Sequence, residues 1–157
     1  LLAAGKSENE AFAIIQAKSR DNSRTPMQWD ASENAGFTTG TPWLKAGKTY
    51  KEINVENEKS GKIFRFYQDL IQLRKALPLI AEGDYKAAYQ DSDNVYAFER
   101  QLDNQKLLVL NNFFPEEVTI QIPADYQTGK VLISNYDGVE LTENLVLQPY
   151  QTLAIEL

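Results

Sequence analysis

Residues 19–30, Ser-Arg-Asp-Asn-Ser-Arg-Thr-Pro-Met-Gln-Trp-Asp, hold the densest chemistry in the chain: Arg20, Asp21, Arg24 and Asp30 with an asparagine and several hydroxyls between them. A guanidinium held in such a segment could grip a carboxylate, a phosphate or a pair of sugar hydroxyls through its planar fork. Arg, Asp and Asn in loops also tie backbone turns together, so this reading stands beside the ligand one. Asp21 and Asp30 could supply the two facing carboxyls of glycoside hydrolysis only if the loop folded back to oppose them. Nothing in the spacing requires that, and both equally suit turn formation. The run Glu56-Asn57-Glu58-Lys59 reads as solvated surface.

The rest of the composition narrows the chemistry. The 157 residues contain no histidine and no cysteine. A Ser-His-Asp arrangement, an imidazole base, a thiolate nucleophile and a zinc-cysteine site are therefore excluded, and catalysis by this chain alone would need carboxylates. No cofactor and no metal is expected. The net charge of −6, without a basic stripe, argues against a nucleic-acid partner. No run approaches the roughly 20 apolar residues of a membrane span. The lack of cysteine fits a cytoplasmic location. Leu1-Leu2-Ala3-Ala4-Gly5 has neither an initiating Met nor a basic region, so the chain is expected to be a segment of something longer.

These residues need elements to position them. Phe12, Ile15 and Ile14 share a helical face within 8–18, with Ser7 as N-cap, and Pro26 forces Thr25 toward extended geometry, so the arginines sit where a helix exits into a loop. Periodicity then disappears until about residue 60. A loop of about forty residues is uncommon unless functional or packed on a neighbour. Its aromatics Trp29, Phe37, Trp43 and Tyr50 could stack a sugar ring or peg the loop to a surface. Residues 61–77 form the clearest helix, with Ile63, Phe66, Tyr67, Leu70, Leu73 and Leu77 at helical spacing, Ser60 placed to cap the start and Pro78 to end it.

After Pro78 the period changes to two. Strands are predicted at 85–89, 94–101, 106–113, 117–122, 130–135 and 151–157, which at this spacing make an antiparallel sandwich. Val118, Ile120 and Ile122, and Leu153, Ile155 and Leu157, each mark one buried face. Tyr85, Tyr89, Tyr126 and Tyr136 could form a carbohydrate platform or serve strand ends only. A stand-alone β-sandwich carbohydrate-binding module is thus an alternative to an enzyme segment.

The motifs KSRDNSRTPMQWD, NAGFTTGTPW, YKEINVE, IFRFYQDLIQLRK and the closing LQPYQTLAIEL together resemble, in order and spacing, the oligo-1,6-glucosidase-like α-glucosidases of glycoside hydrolase family 13. That group includes trehalose-6-phosphate hydrolases, oligo-1,6-glucosidases and dextran glucosidases. The resemblance implies an α+β fragment: loop and helices from the end of a (β/α)8 barrel over 1–79, then an antiparallel Greek-key β-sandwich, domain C, over 80–157. It implies that the Asp nucleophile, the Glu acid/base and the stabilising Asp lie on a missing N-terminal barrel before residue 1, leaving this segment inert alone. Arg24, with Arg20 second, is expected to reach the first glucose subsite and bond an acid from an early barrel loop. The implied partner of the intact enzyme is a small oligosaccharide or a phosphorylated disaccharide. Trehalose 6-phosphate leads, with isomalto-oligosaccharides and dextran-derived chains as alternatives.

Overall fold

The computed structural model describes all residues, Leu1–Leu157, in two compact units that part between Arg65 and Phe66. In the first unit, α1 (Glu8–Lys18) starts at Ser7, whose side chain accepts from the Glu10 amide while the Glu10 carboxylate accepts from the Ser7 amide at 2.8 Å. This reciprocal cap satisfies two donors that the first turn would otherwise leave open. The expected apolar face stays outside: Phe12 and Ile15 are more than half exposed, and Ala11 alone is buried. From Arg20 the chain runs through short 3₁₀ turns, and α2 (Val55–Glu58) forms where only polar surface was predicted.

The second unit carries most of α3 (Lys62–Ala76), α4 (Pro78–Glu82) and seven strands. Leu77 is extended, as a residue before proline prefers, so α3 stops there as expected. Pro78 then opens a new helix, since its missing N–H costs nothing in a first turn. That second role of Pro78 is what the sequence reading lacked. Leu79 of α4 is fully buried against Leu107 and Ala154, and Gly83 ends the turn so close to the Leu79 carbonyl that a Cβ would lie 2.5 Å from it.

The strands are β1 (Asp84–Ala88), β2 (Val95–Leu102), β3 (Gln105–Asn112), β4 (Val118–Gln121), β5 (Lys130–Ser134), β6 (Asn144–Leu147) and β7 (Thr152–Glu156). Five make an antiparallel sheet in the order β1-β2-β3-β7-β5, and β4 pairs with β6 in a second sheet. The chain changes sheet after β3, β4, β5 and β6, so β7 inserts between β3 and β5 and closes a Greek-key sandwich. Strand β6 is the element the sequence reading missed; its four residues sit between loop-like polar runs. Its Leu145 and Leu147 join Val95, Ala97, Leu108, Leu110, Ile120, Ile122, Leu153 and Ile155 in one core between the sheets. The alternation at 118–122 and 153–157 therefore points inward as expected. Ala154, on the opposite face of β7, is also buried, because α4 covers that side.

On the outer face of the large sheet, Phe66, Leu70 and Leu73 of α3 and Phe98, Leu107 and Val109 of β2 and β3 line a largely apolar crevice of about 340 Å³. Ile63, Tyr67 and Ile71 remain more than half exposed, so the wide apolar face of α3 is only partly covered. No helix is long and apolar enough to cross a membrane.

Candidate functional site

The polar residues of 19–30 divide into those that build the turn and those that do not. Ser19 accepts from the Asp21 amide, the Asn22 amide group donates 2.7 Å to the Gln16 carbonyl at the end of α1, and the Ser23 hydroxyl donates 2.8 Å to the Arg20 carbonyl. Asn22 thus closes the last turn of the helix, where carbonyls otherwise lack partners. The Arg24 amide closes the 3₁₀ turn on Asp21. Both Arg20 and Arg24 are exposed, and neither is in an ion pair, the one salt bridge of the chain being Lys59–Glu56. Buried Pro26 follows two residues after Arg24. The structure therefore positions two unpaired guanidinium groups on a short ordered scaffold.

Asp21 and Asp30 do not form a catalytic pair. Asp21 belongs to the 3₁₀ turn after α1. Asp30 accepts from both the hydroxyl and the amide of Ser32, the latter at 2.8 Å. The Ser32 hydroxyl bond, and then its amide, hold the Asp30 carboxyl below the usual Asp range. That favours the ionised form and suits a turn-forming acceptor, whereas a general acid needs the opposite shift.

The long loop is held by its backbone. Val55 donates 2.9 Å to the Gln28 carbonyl and Glu56 donates 3.0 Å to Trp29, which ties residues 28–29 to the start of α2. The Gln28 side chain donates to Ile53, and buried Asn54 both caps α2 through the Asn57 amide and donates 2.8 Å to Tyr50. Asn34, Ala35 and Gly36 follow one another in the left-handed region with φ of 51, 58 and 66°. This reversal aims the Ala35 carbonyl at the amides of Trp29 and Asp30, while a Cβ on Gly36 would lie 2.6 Å from the Asp30 carboxylate. A left-handed alanine costs about 1–2 kcal/mol. Full burial of Ala35 and two accepted hydrogen bonds offset it.

Of the four loop aromatics, Tyr50 alone is half-buried rather than exposed. Trp43 is fully exposed, and Trp29 and Phe37 are half exposed. The four tyrosines of the sandwich do not share one surroundings. Tyr126 is 2% exposed. Tyr89 donates 2.7 Å to the Gln121 carbonyl and Tyr136 donates 2.9 Å to Pro149. Tyr85 alone of the four joins an aromatic row, 5.4 Å from Phe98, which in turn is 6.0 Å from Tyr96. Phe113 extends the row, 6.4 Å from Tyr96. The missed signal lay in β2, where Tyr96, Phe98 and Arg100 alternate on the outward face.

The succession of a helix-exit loop, an amphipathic helix and a Greek-key sandwich recurs in known proteins. Residues 2–83 match the family described as alpha amylase, catalytic domain, and residues 95–153 match the alpha-amylase SusG C-terminal domain. The chain belongs to the alpha-amylase family, glycoside hydrolase family 13. It is 43% identical over 98% of its length to a trehalose-6-phosphate hydrolase of Bacillus subtilis, and 42% identical over 94% to an oligo-1,6-glucosidase of Parageobacillus thermoglucosidasius. It spans 28% and 27% of the length of these relatives. The crystal structure of Bacillus licheniformis trehalose-6-phosphate hydrolase superposes with a TM-score of 0.82 at 43% identity, covering 98% of this chain and 29% of that one. The architecture is the end of the family's barrel joined to its β-sandwich, as the resemblance implied.

Proposed function

We propose that the chain is part of a retaining α-glucosidase that cleaves the α-glucosidic bonds of short glucosides, with trehalose 6-phosphate as substrate. The observation that carries this reading is the pair of exposed, unpaired guanidinium groups, Arg24 and Arg20, on a turn that the side chains of Ser19, Asn22 and Ser23 hold together. Arg24, with Arg20 second, is assigned to the first glucose subsite, where a guanidinium paired with a barrel carboxylate would close the pocket beyond one sugar and impose exo-action. Residues 1–79 would then belong to the barrel and 80–157 to the sandwich. The catalytic nucleophile, acid/base and stabilising acid would come from barrel strands outside these residues, so this chain alone would be inactive.

The same geometry serves an oligo-1,6-glucosidase, and the identities to the two kinds of relative differ by one percentage point. The test is made in the complete enzyme. Arg24→Ala should lower kcat/KM on the preferred glucoside by about 2–4 kcal/mol in transition-state binding, because it strips a charged donor from a buried pocket. Near wild-type kcat/KM would remove Arg24 from the site. Comparing trehalose 6-phosphate with isomaltose as substrates decides between the two activities.

A further inference from the structure

We infer that Asp137, in the connection between β5 and β6, is a site of spontaneous covalent modification, where the backbone converts through a succinimide ring to an isoaspartyl linkage. The sequence narrows the choice to this residue. Among all the aspartates and asparagines of the chain, Asp137 alone is followed by glycine. Glycine has no Cβ to crowd its own nitrogen or to restrict its backbone, so that nitrogen can approach the preceding side chain where another residue's would be hindered.

The structure leaves both reacting groups open. Asp137 and Gly138 are exposed and lie in a bend outside every strand. The Asp137 carboxylate is in no ion pair, and the Gly138 amide donates to no backbone carbonyl. Gly138 is left-handed with φ of 68°, and nothing stands within 4 Å of the place a Cβ would take, so no neighbour blocks rotation there. The chain is pinned on either side of the pair. Asn135 donates 2.9 Å to the Tyr150 carbonyl and the Tyr136 hydroxyl donates 2.9 Å to Pro149, while Val139 and Leu141 pack against the sandwich core. Freedom is thus confined to the two residues that react. Asp30 is the contrast: Ser32 holds its carboxylate, and the next residue is Ala31.

The reaction needs no partner beyond water. The Gly138 nitrogen bonds to Cγ of the protonated Asp137 carboxyl, and the carboxyl hydroxyl leaves as water with the amide proton, closing a five-membered ring. Water then adds to one ring carbonyl. Opening at Cγ restores aspartate, whereas opening at the backbone carbonyl carbon leaves the chain running through the side chain, with a free α-carboxylate. One water is lost and one regained, nothing is oxidised or reduced, and the net charge is unchanged. The product lengthens the connection by one methylene. This inference does not depend on the role given to Arg24, and the two can fail separately.

The test is a long incubation of the folded full chain in warm neutral buffer, followed by trypsin digestion and chromatography with mass detection. Trypsin releases 131–157 as one peptide, and Asp137 is its only aspartate. A second peak of equal mass should grow for this peptide and resist the protease that cleaves before aspartate, while the peptides holding Asp21, Asp30 and Asp103 stay single. Gly138→Ala should slow the conversion about ten-fold, because the added methyl crowds the attacking nitrogen. Asp137→Asn, which keeps the bend, should close the same ring with ammonia as leaving group and give the same two products. A single unchanged peak for 131–157 would overturn the inference, as would an unchanged rate in Gly138→Ala or an Asp137→Asn chain that keeps its amide.

Discussion

Residues 1–65 and 66–157 are ordered by different forces. The sandwich has one apolar core of Leu, Ile and Val side chains contributed by both sheets, most of them under 5% exposed. The loop unit buries little beyond Ala11, Pro26, Ala35 and Asn54, and its order comes from hydrogen bonds between segments far apart in sequence. Apolar burial is non-directional and tolerates shape change, while a hydrogen-bonded loop fixes particular atoms in particular places. A unit of the second kind can hold a guanidinium at a set position with few core residues, but each of its ties is separately breakable.

The contrast predicts a graded set of losses. Leu110→Ala, in the centre of the sandwich core, should cost about 3–5 kcal/mol, because the tight surroundings leave a cavity. Chemical denaturation followed by tryptophan fluorescence is the wrong probe, since Trp29 and Trp43 both lie in the loop unit. Far-UV circular dichroism reads the sandwich instead, and a loss under 1 kcal/mol would mean that the core relaxes freely. Asn112→Ala should cost less, about 2–3 kcal/mol. Asn112 is 2% exposed, donates 2.7 Å to Glu116 and 3.0 Å to Gln148, and accepts from Phe114. Its loss strands three backbone groups at the end of the sandwich, and an unchanged denaturation midpoint would show that water replaces it.

In the loop unit, Asn54→Ala removes the cap of α2 and the bond to Tyr50. It should cost about 1–2 kcal/mol, but locally. Tryptic cleavage at Lys51 and Lys59 should accelerate while the sandwich transition stays in place. Coincident loss of both would show that the units do not unfold separately.

The same division explains what was legible in the sequence. Core strands announce themselves by alternation, so six of the seven were found, and β6 was missed because only Leu145 and Leu147 point inward in a four-residue strand. The capping box of α1 was visible as Ser7 with Glu10 three residues on. The partners of the loop were not visible: nothing local says that Gln28 and Trp29 will accept from Val55 and Glu56, because those pairings depend on three-dimensional closure. Residue type alone left Arg24 and Arg20 beside a turn-forming reading, and the family resemblance singled them out. The structure adds that Ser19, Asn22 and Ser23 are tied into the turn by their side chains while the two guanidinium groups form no ion pair. Pro78 was read as a stop and is also a start, a dual use that the local rule allows but does not choose.

The smallest effect expected is also the most direct check on how the loop unit is tied. Asp30 gains its lowered pKa from Ser32, chiefly from the hydroxyl. A carboxyl depressed in the folded state stabilises that state above its unfolded pKa of about 3.9, and the contribution is lost as pH falls through the lower folded value. The turn at 30–36 should therefore loosen only in strong acid, with no change between about pH 5 and 8. Side-chain carboxyl NMR should place the Asp30 titration below the ordinary Asp value, and Ser32→Ala should move it back upward. If the wild-type carboxyl titrates at the ordinary value, Ser32 does not hold Asp30, and the Gly36 backbone, packed against that carboxylate, must be fixed by the Ala35 hydrogen bonds alone.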